Sequence, residues 1–263
     1  MLAELPLLTL ATWGSATLLT LICLCELFVH GQYRFYRLFT TYLMINLLQA
    51  VLGVLLYQNY GFDSRSAWYA IWTSQGVVVV ARALAAAEIC YLTLGNYKGV
   101  WALAARILTG CGALVVSLAL IFGRHAYHFA VLILEIGLEA SIATGIVGLF
   151  LFARYYGIQI VPATQRLGLG LGLLSCCKIL NDVVVERFAK SYESTWTSVS
   201  LLLFVEVLLI WMWALREPVV LTLPEPRLRA AQAYASLMPQ VNQRLRDLNE
   251  ELTRLWRLES PES

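Results

Sequence analysis

Charged residues are scarce in this chain. Asp, Glu, Lys and Arg make up 14% of the sequence, whereas about 25% is usual for a soluble domain. Hydrophobic residues make up 59% of the 263 residues, and the mean hydropathy is +0.69. This composition excludes an ordinary soluble domain and predicts an integral membrane protein in contact with the lipid bilayer. The net charge of +2 is close to neutral and says nothing about nucleic acid. Aromatic and basic residues cluster at 33–37 and 154–156, at the ends of apolar runs, where they are typical of a membrane–water interface, so no nucleic-acid partner is expected.

Residues that bind metals and cofactors are also few. All six cysteines lie in apolar segments, and no two of them have the CxxC spacing of a metal or redox site. There are three histidines, and His30 lies at the opposite end of the predicted spans from His125 and His128. They match neither the ligand set of seven-span metallohydrolases nor an axial haem pair at one depth. We therefore expect no metal and no cofactor.

Two further classes of seven-span protein lack their defining residues here. Retinal proteins carry a lysine on the last helix, whereas Lys178 lies on the sixth predicted span. Transporters of the PQ-loop type need a Pro-Gln pair within the membrane, and Pro239-Gln240 lies in the tail. No nucleophile and base stand in a recognisable arrangement, so an intramembrane enzyme is the third-ranked interpretation.

Seven stretches are apolar and long enough to cross a bilayer, which takes about 20 residues. They lie at about 7–29, 39–57, 68–94, 101–122, 129–153, 167–185 and 196–215. The sequence therefore predicts an all-α polytopic membrane protein, with a seven-transmembrane-helix bundle in residues 1–217. A tail of residues 218–263 follows, with an amphipathic cytoplasmic helix at about 239–258.

Lys and Arg are unevenly distributed between the two ends of the spans. One set of connections and the tail hold nine of them: Arg34, Arg37, Lys98, Arg106, Arg154, Arg166, Arg216, Arg227 and Arg229. The opposite set holds four: Arg65, Arg124, Arg187 and Lys190. Positive residues are retained on the cytoplasmic side. The bias predicts a multi-pass protein of the plasma (inner) membrane, with its N-terminus outside and its C-terminus in the cytoplasm.

Several ionisable residues lie inside the predicted spans, where charge is costly and often functional. Six of them form the candidate ligand or ion pathway: Arg82, Glu135, Glu139, Lys178, Asp182 and Glu206. Glu135 and Glu139 share one helix face, as do Lys178 and Asp182, because each pair is four residues apart. Two interpretations stay open at this point. The charges either form ion pairs that fix helix packing, or they line a polar pathway for a ligand, an ion or protons.

Small residues predict which helices pack most closely. Alanines surround Arg82 on several faces of the third span, which predicts that this helix is central and that Arg82 points into the protein. Glu88 lies about 120° round the same helix and is not expected to be the partner of Arg82. On the sixth span, Gly168, Gly172 and Cys176 are four apart, which predicts the close approach of another helix.

The tail carries a second helical pattern. Beyond Pro239 the apolar residues recur every three or four positions: Val241, Leu245, Leu248, Leu252 and Leu255. Acidic and basic residues are balanced around this stripe, whereas helices that lie on a membrane surface favour Lys and Arg. We therefore expect the stripe to bind a protein partner or to mediate self-association.

The overall layout resembles that of a known type of membrane protein. Its features are seven spans, the sequence YRFYRLF after the first span, an acidic third span and the tail sequence LNEELTRLW. It is similar to a diffuse group of uncharacterised seven-span bacterial inner-membrane proteins. The resemblance implies a seven-span inner-membrane protein and carries no known activity or site residues.

Two functions are consistent with these patterns. The first is a non-enzymatic membrane protein, a sensor or signalling module or a scaffold subunit of a membrane complex, that uses the tail to bind a partner. The alternative is a small-molecule or proton-coupled carrier that uses the buried charged layer. No broken helix and no inverted repeat is evident in the sequence, which favours the first function.

Overall fold

A computed structural model shows a chain made of long α-helices. It describes residues 7–60, 64–122, 127–216, 238–239 and 242–251. Within these ranges the side chains of residues 7–10, 57, 127–129, 182–198 and 200 are not described. By its internal contacts the chain divides into two units, Met1–Val219 and Val220–Ser263.

Six α-helices follow one another in the first unit. They are α1 (Leu7–Val29), α2 (Arg37–Tyr60), α3 (Arg65–Leu94), α4 (Lys98–Phe122), α5 (Tyr127–Tyr155) and α6 (Pro162–Arg216). A short 3₁₀ helix, Gln32–Arg34, lies between α1 and α2. Glycine supplies the left-handed backbone that ends two of the helices, since Gly31 after α1 and Gly157 after α5 both have φ of 65°.

The first five helices are long and apolar enough to cross a membrane. They contain the first five predicted spans, so a polytopic helical membrane protein is confirmed at that level. The last two predicted spans, 167–185 and 196–215, fall together inside α6, and the described residues of α6 contain no candidate span. The five candidate helices therefore support a multi-pass protein but not the full count of seven spans.

The helix α6 does not run straight. Residues 167 and 211 would be about 66 Å apart in a straight helix, at 1.5 Å per residue. The indole N–H of Trp211 nevertheless donates a hydrogen bond to the carbonyl oxygen of Leu167 at 3.2 Å. The first part of α6 (162–181) and its last part (199–216) therefore lie side by side, and the chain reverses direction between them.

The third helix occupies the centre of this unit. It packs against α2, α4, α5 and α6. Its apolar stretch is 56% buried, whereas that of α4, at the periphery, is 11% buried. Arg82 is directed into the protein and is almost fully buried. The prediction of a central third helix with an inward-facing arginine is confirmed.

Glycines of α6 allow close packing on two sides. A Cβ atom on Gly168 or Gly172 would lie 3.2 Å from Ile89 or from Ile146, so neighbouring helices approach the bare backbone. A Cβ atom on Gly170 would overlap the indole of Trp211. The prediction of close approach is confirmed for Gly168 and Gly172, but Cys176 is exposed and takes no part in it.

Candidate functional site

The centre of the bundle holds a closed ion pair. Arg82 of α3 donates through Nη1 to Oε1 of Glu139 on α5. The Arg82 side chain is 3% exposed and that of Glu139 is 0% exposed. A buried charge is costly unless an opposite charge lies beside it. Arg82 and Glu139 therefore neutralise each other.

Tyr42 of α2 completes this layer. The guanidinium carbon of Arg82 lies 5.5 Å from the centroid of the Tyr42 ring, a cation–π distance. Oε2 of Glu139 is buried without a hydrogen-bond partner among the described residues. The Tyr42 hydroxyl is also buried, and it interacts with Arg82. The side chains of Tyr42, Arg82 and Glu139 are therefore almost completely withdrawn from the protein surface.

A second polar layer lies about two helical turns away. Gln75 of α3 donates to Oε1 of Glu135 on α5 at 2.6 Å, and Gln49 of α2 donates to Oε1 of Gln75 at 2.9 Å. Gln49 also lies 3.4 Å from the Ser74 hydroxyl. Glu135 is buried, and its carboxylate acts electrostatically on Arg82. The two layers therefore form one connected polar region.

Helical periodicity explains why the same three helices supply both layers. Two residues seven apart on a helix share one face, and this holds for residues 42 and 49 on α2 and for 75 and 82 on α3. On α5, residues 135 and 139 are four apart and also share a face. Chemically, the arrangement offers one cation, two carboxylates, two amides and a phenol. These groups can hold three helices in register, and the two carboxylates can also take up and release protons.

Glu88 has a different role. Its two carboxylate oxygens accept hydrogen bonds from the backbone N–H groups of Leu38 at 3.0 Å and Phe39 at 2.9 Å. These N–H groups belong to the first turn of α2, which has no partners within its own helix and favours a negative charge. Glu88 therefore caps α2 from α3 and is not the partner of Arg82, as predicted.

Polar contacts also join the helices at one end of the bundle, which we call the α1–α2 end because it holds residues 30–36. Nε2 of Gln32 donates to the carbonyl oxygen of Leu215 at 3.1 Å, and the hydroxyls of Tyr36 and Thr164 are 2.9 Å apart. Burial raises the pKa of Tyr36 to about 12, with a further increase from the Glu88 carboxylate and an opposing effect of Thr164. Tyr36 is therefore a neutral contact between the α1–α2 connection and α6.

The other predicted pathway residues do not join the buried layers. Lys178 is half-buried on α6, and Glu206 is exposed on its last part. Neither has an ion pair with a residue that the structure describes, and Glu206 acts electrostatically on Cys177. The side chain of Asp182 lies outside the described residues. The structure thus brings together Arg82, Glu135 and Glu139, and leaves Lys178 and Glu206 apart from them.

Sequence reasoning missed Tyr42 as a neighbour of Arg82 and did not assign Glu88 its capping role. The signal for Tyr42 is its spacing of seven from Gln49, which places both on the polar face of α2. Glu88 gives no such local signal, because its partners are backbone groups 49 and 50 residues away.

Of the tail stripe, Leu245 and Leu248 lie in a described helical segment, residues 242–251, and are 58% and 53% exposed. Val241, Leu252 and Leu255 lie outside the described residues. Within the parts of the chain that are described, no group of three or more His, Cys, Asp or Glu side chains is placed to hold a metal ion. Comparison of the chain with protein-family models, with curated proteins and with solved structures finds no significant match.

Proposed function

We propose that this chain is a non-enzymatic integral membrane protein that acts as a sensor or scaffold and binds a protein partner through its tail. One observation carries the proposal. The buried charges that would best serve transport, Arg82 and Glu139, are paired with each other in a closed layer. A pair that is buried to this degree specifies the packing of helices more readily than it conducts a solute.

The exposed tail helix supports the second half of the proposal. Leu245 and Leu248 are both more than half exposed on one face, three residues apart. Apolar residues at this spacing form the face by which a helix lies in a groove or pairs with another helix. Apolar side chains that are exposed to water are costly, so removing these two leucines from water would contribute favourably to the free energy of binding a partner.

The proposal includes seven spans, with the two parts of α6 as the sixth and seventh. The hydrogen bond from Trp211 to Leu167 supports this count, because it requires the two parts to run side by side. The excess of Lys and Arg at one end of the spans supports an outside N-terminus and a cytoplasmic tail in a bacterial inner membrane.

The tail is tested by replacing Leu245 and Leu248 with glutamate in the full-length chain. We expect cross-linking in living cells to join the wild-type tail to a specific protein or to a second copy, and the double variant to lose this product. The reason is that two carboxylates on the apolar stripe would have to be buried without partners on binding.

The matched control is Arg246→Glu, which changes the charge of the same helix at an exposed position beside the stripe. It should keep the cross-linked product, and both variants should keep the thermal midpoint of the detergent-solubilised wild type. A wild-type chain without a specific product, or a product that survives in the double variant, would contradict the proposal.

A second candidate function is a proton-coupled carrier, which the two buried carboxylates Glu135 and Glu139, one turn apart on α5, favour. Carboxyl groups can take up and release protons, and Gln75, itself bonded to Gln49, orients Glu135 by a hydrogen bond. In liposomes with a proton-sensitive dye inside, wild-type chain should then carry a proton flux that Glu139→Gln abolishes. Glu26→Gln, near the end of α1, is the control that should keep the flux. Flux no greater than in empty liposomes would exclude this function.

A further inference from the structure

Glu206 lies on a stripe of exposed side chains along the last part of α6. The stripe follows the three-and-four spacing of one helix face and consists of Val199, Leu202, Glu206, Leu209 and Trp213. Val199, Leu202 and Leu209 are apolar and suit lipid, and the Trp213 ring contacts the guanidinium of Arg166, but the carboxylate of Glu206 does not suit lipid. Since the opposite face of this segment is fully buried at Val207, Leu208 and Trp211, rotation of the helix cannot bring Glu206 inside.

The depth of Glu206 makes its exposure costly. It precedes the end of α6 at Arg216 by ten residues, which is about 15 Å along the helix axis and half of a hydrocarbon core of about 30 Å. A glutamate side chain is too short to carry its carboxylate from there to the headgroups, as long basic side chains do. A charge at this depth calls for a partner.

Arg106 on α4 is the complementary charge. Among the described residues of the helices, Arg106 and Glu206 are the exposed charged residues that lie eight or more positions from the nearest helix end. Arg106 follows the start of α4 at Lys98 by eight residues, or about 12 Å. The two opposite charges therefore lie within about 3 Å of the same depth, measured from the ends of α4 and α6.

Both helix ends belong to the same side of the bundle. Gln32 in the α1–α2 connection bonds to Leu215 at the end of α6. Glu88, near the end of α3, caps the start of α2, and only three residues separate α3 from α4. The two depths can therefore be compared directly.

The surfaces around the two charges also fit each other. The exposed residues on the Arg106 face of α4 are Leu103, Arg106, Gly110, Ala113 and Ser117. The last three of these are small. Nothing lies within 4 Å of a Cβ atom built on Gly110, so a helix of another copy can approach the backbone there. Leu202 on α6 lies at a depth of about 21 Å, level with Gly110 and Ala113 at about 18 and 22 Å. Small residues opposite large ones let transmembrane helices approach closely.

The two charges cannot meet within one copy of the chain. The helix α4 packs against α5 and α3, whereas the last part of α6 contacts Cys23 of α1 and Gln32 of the α1–α2 connection. We propose that copies of this chain associate head to tail in the membrane, with Glu206 of one copy paired with Arg106 of the next. A contact between two different faces is heterologous and builds a closed ring or an open row.

Charge exchange tests the pairing in the full-length protein. Fluorescence energy transfer between labelled copies in liposomes would measure self-association of wild type, Glu206→Lys, Arg106→Glu and the double exchange. All four are made in the Leu245→Glu, Leu248→Glu background, so that the tail does not contribute and failure of this proposal is distinct from failure of the proposed function. Each single exchange should weaken association at least about tenfold, and the double exchange should restore it, because the pair is re-formed with its signs reversed.

Further variants keep the test decisive if a charge exchange impairs folding. Glu206→Gln and Arg106→Gln should each weaken association, and Gly110→Leu, which places a large side chain on the Arg106 face, should do so without a change in thermal midpoint. Lys98→Glu, at the start of α4, is the control that should associate like wild type. Three results would overturn the proposal: a monomeric wild type, single exchanges that associate normally, or loss in Glu206→Lys without loss in Arg106→Glu. The last result would assign Glu206 to a symmetric contact or to a different protein.

Discussion

At the scale of single residues, the ion pair between Arg82 and Glu139 decides how the bundle tolerates charge. Both side chains are removed from water and lipid, and the pair has one further contact of note, the ring of Tyr42. Replacing one member leaves the other as a buried charge without a partner. Replacing both leaves no buried charge, so stability then depends only on how well the new side chains pack. The pair should therefore behave very differently in single and double replacements.

Arg82→Met and Glu139→Leu should each destabilise the solubilised protein by about 3–5 kcal/mol, and the double replacement should recover most of that loss. Methionine and leucine fill similar volumes without charge, so the double variant closes the layer with apolar contacts. Thermal unfolding in detergent, followed by the accessibility of buried cysteines, would measure the three variants.

Lys98→Met is the control for this series, because Lys98 is exposed at the start of α4 and its loss should leave the thermal midpoint unchanged. If the effects of the two single replacements simply added in the double variant, the pair would not be a coupled unit. Arg82 and Glu139 would then stabilise the bundle through separate contacts.

At the scale of helices, α4 and α5 meet without room for a side chain at Gly137. A Cβ atom there would lie 2.7 Å from Cγ1 and 2.9 Å from Cγ2 of Val115. Val115 is buried with Val79 and Leu138 in a small cluster between α3, α4 and α5. Valine is branched and stiff at this position of the helix, so it cannot turn its methyl groups away.

Gly137→Ala should therefore lower stability by about 1–3 kcal/mol, because the added methyl group forces α4 and α5 apart. Gly137→Ala combined with Val115→Ala should regain part of this loss, since the smaller side chain opens the space that the methyl group needs. The thermal midpoint in detergent is again the measurement.

The matched control is Gly110→Ala on α4, where the added atom meets nothing within 4 Å. Alanine is the better helix former, so this change should be neutral or slightly stabilising. Equal losses in Gly110→Ala and Gly137→Ala would show that helix flexibility, and not the contact with Val115, sets the effect.

At the scale of the whole molecule, hydropathy predicts the fold better than the site. The lengths of α1 to α5 follow from apolar runs, because a bilayer demands about 20 such residues and a helix satisfies its own backbone. The inward position of Arg82 follows from the alanines around it. Each of these properties is local in sequence.

Which side chains contact each other across the bundle depends on residues far apart in the sequence, so the sequence predicts these contacts less well. Glu139 and Glu206 both lie near the centres of predicted spans, and nothing in the residues around them distinguishes the exposed glutamate from the buried one. Their positions depend on which face each helix turns to its neighbours, and Trp211 and Gly170 fix that face for α6 through contacts 41 residues apart. The capping of α2 by Glu88 is hidden for the same reason.

The spacing of the two polar layers also limits how the bundle can move. Tyr42 and Gln49 on α2 face Arg82 and Gln75 on α3, with seven residues between the members on each helix. A slide of α2 along α3 by one turn, about 5.4 Å, would separate Tyr42 from Arg82 and Gln49 from Gln75 in a single step. Sliding therefore costs the contacts of both layers at once, and so does rotation of either helix about its own axis.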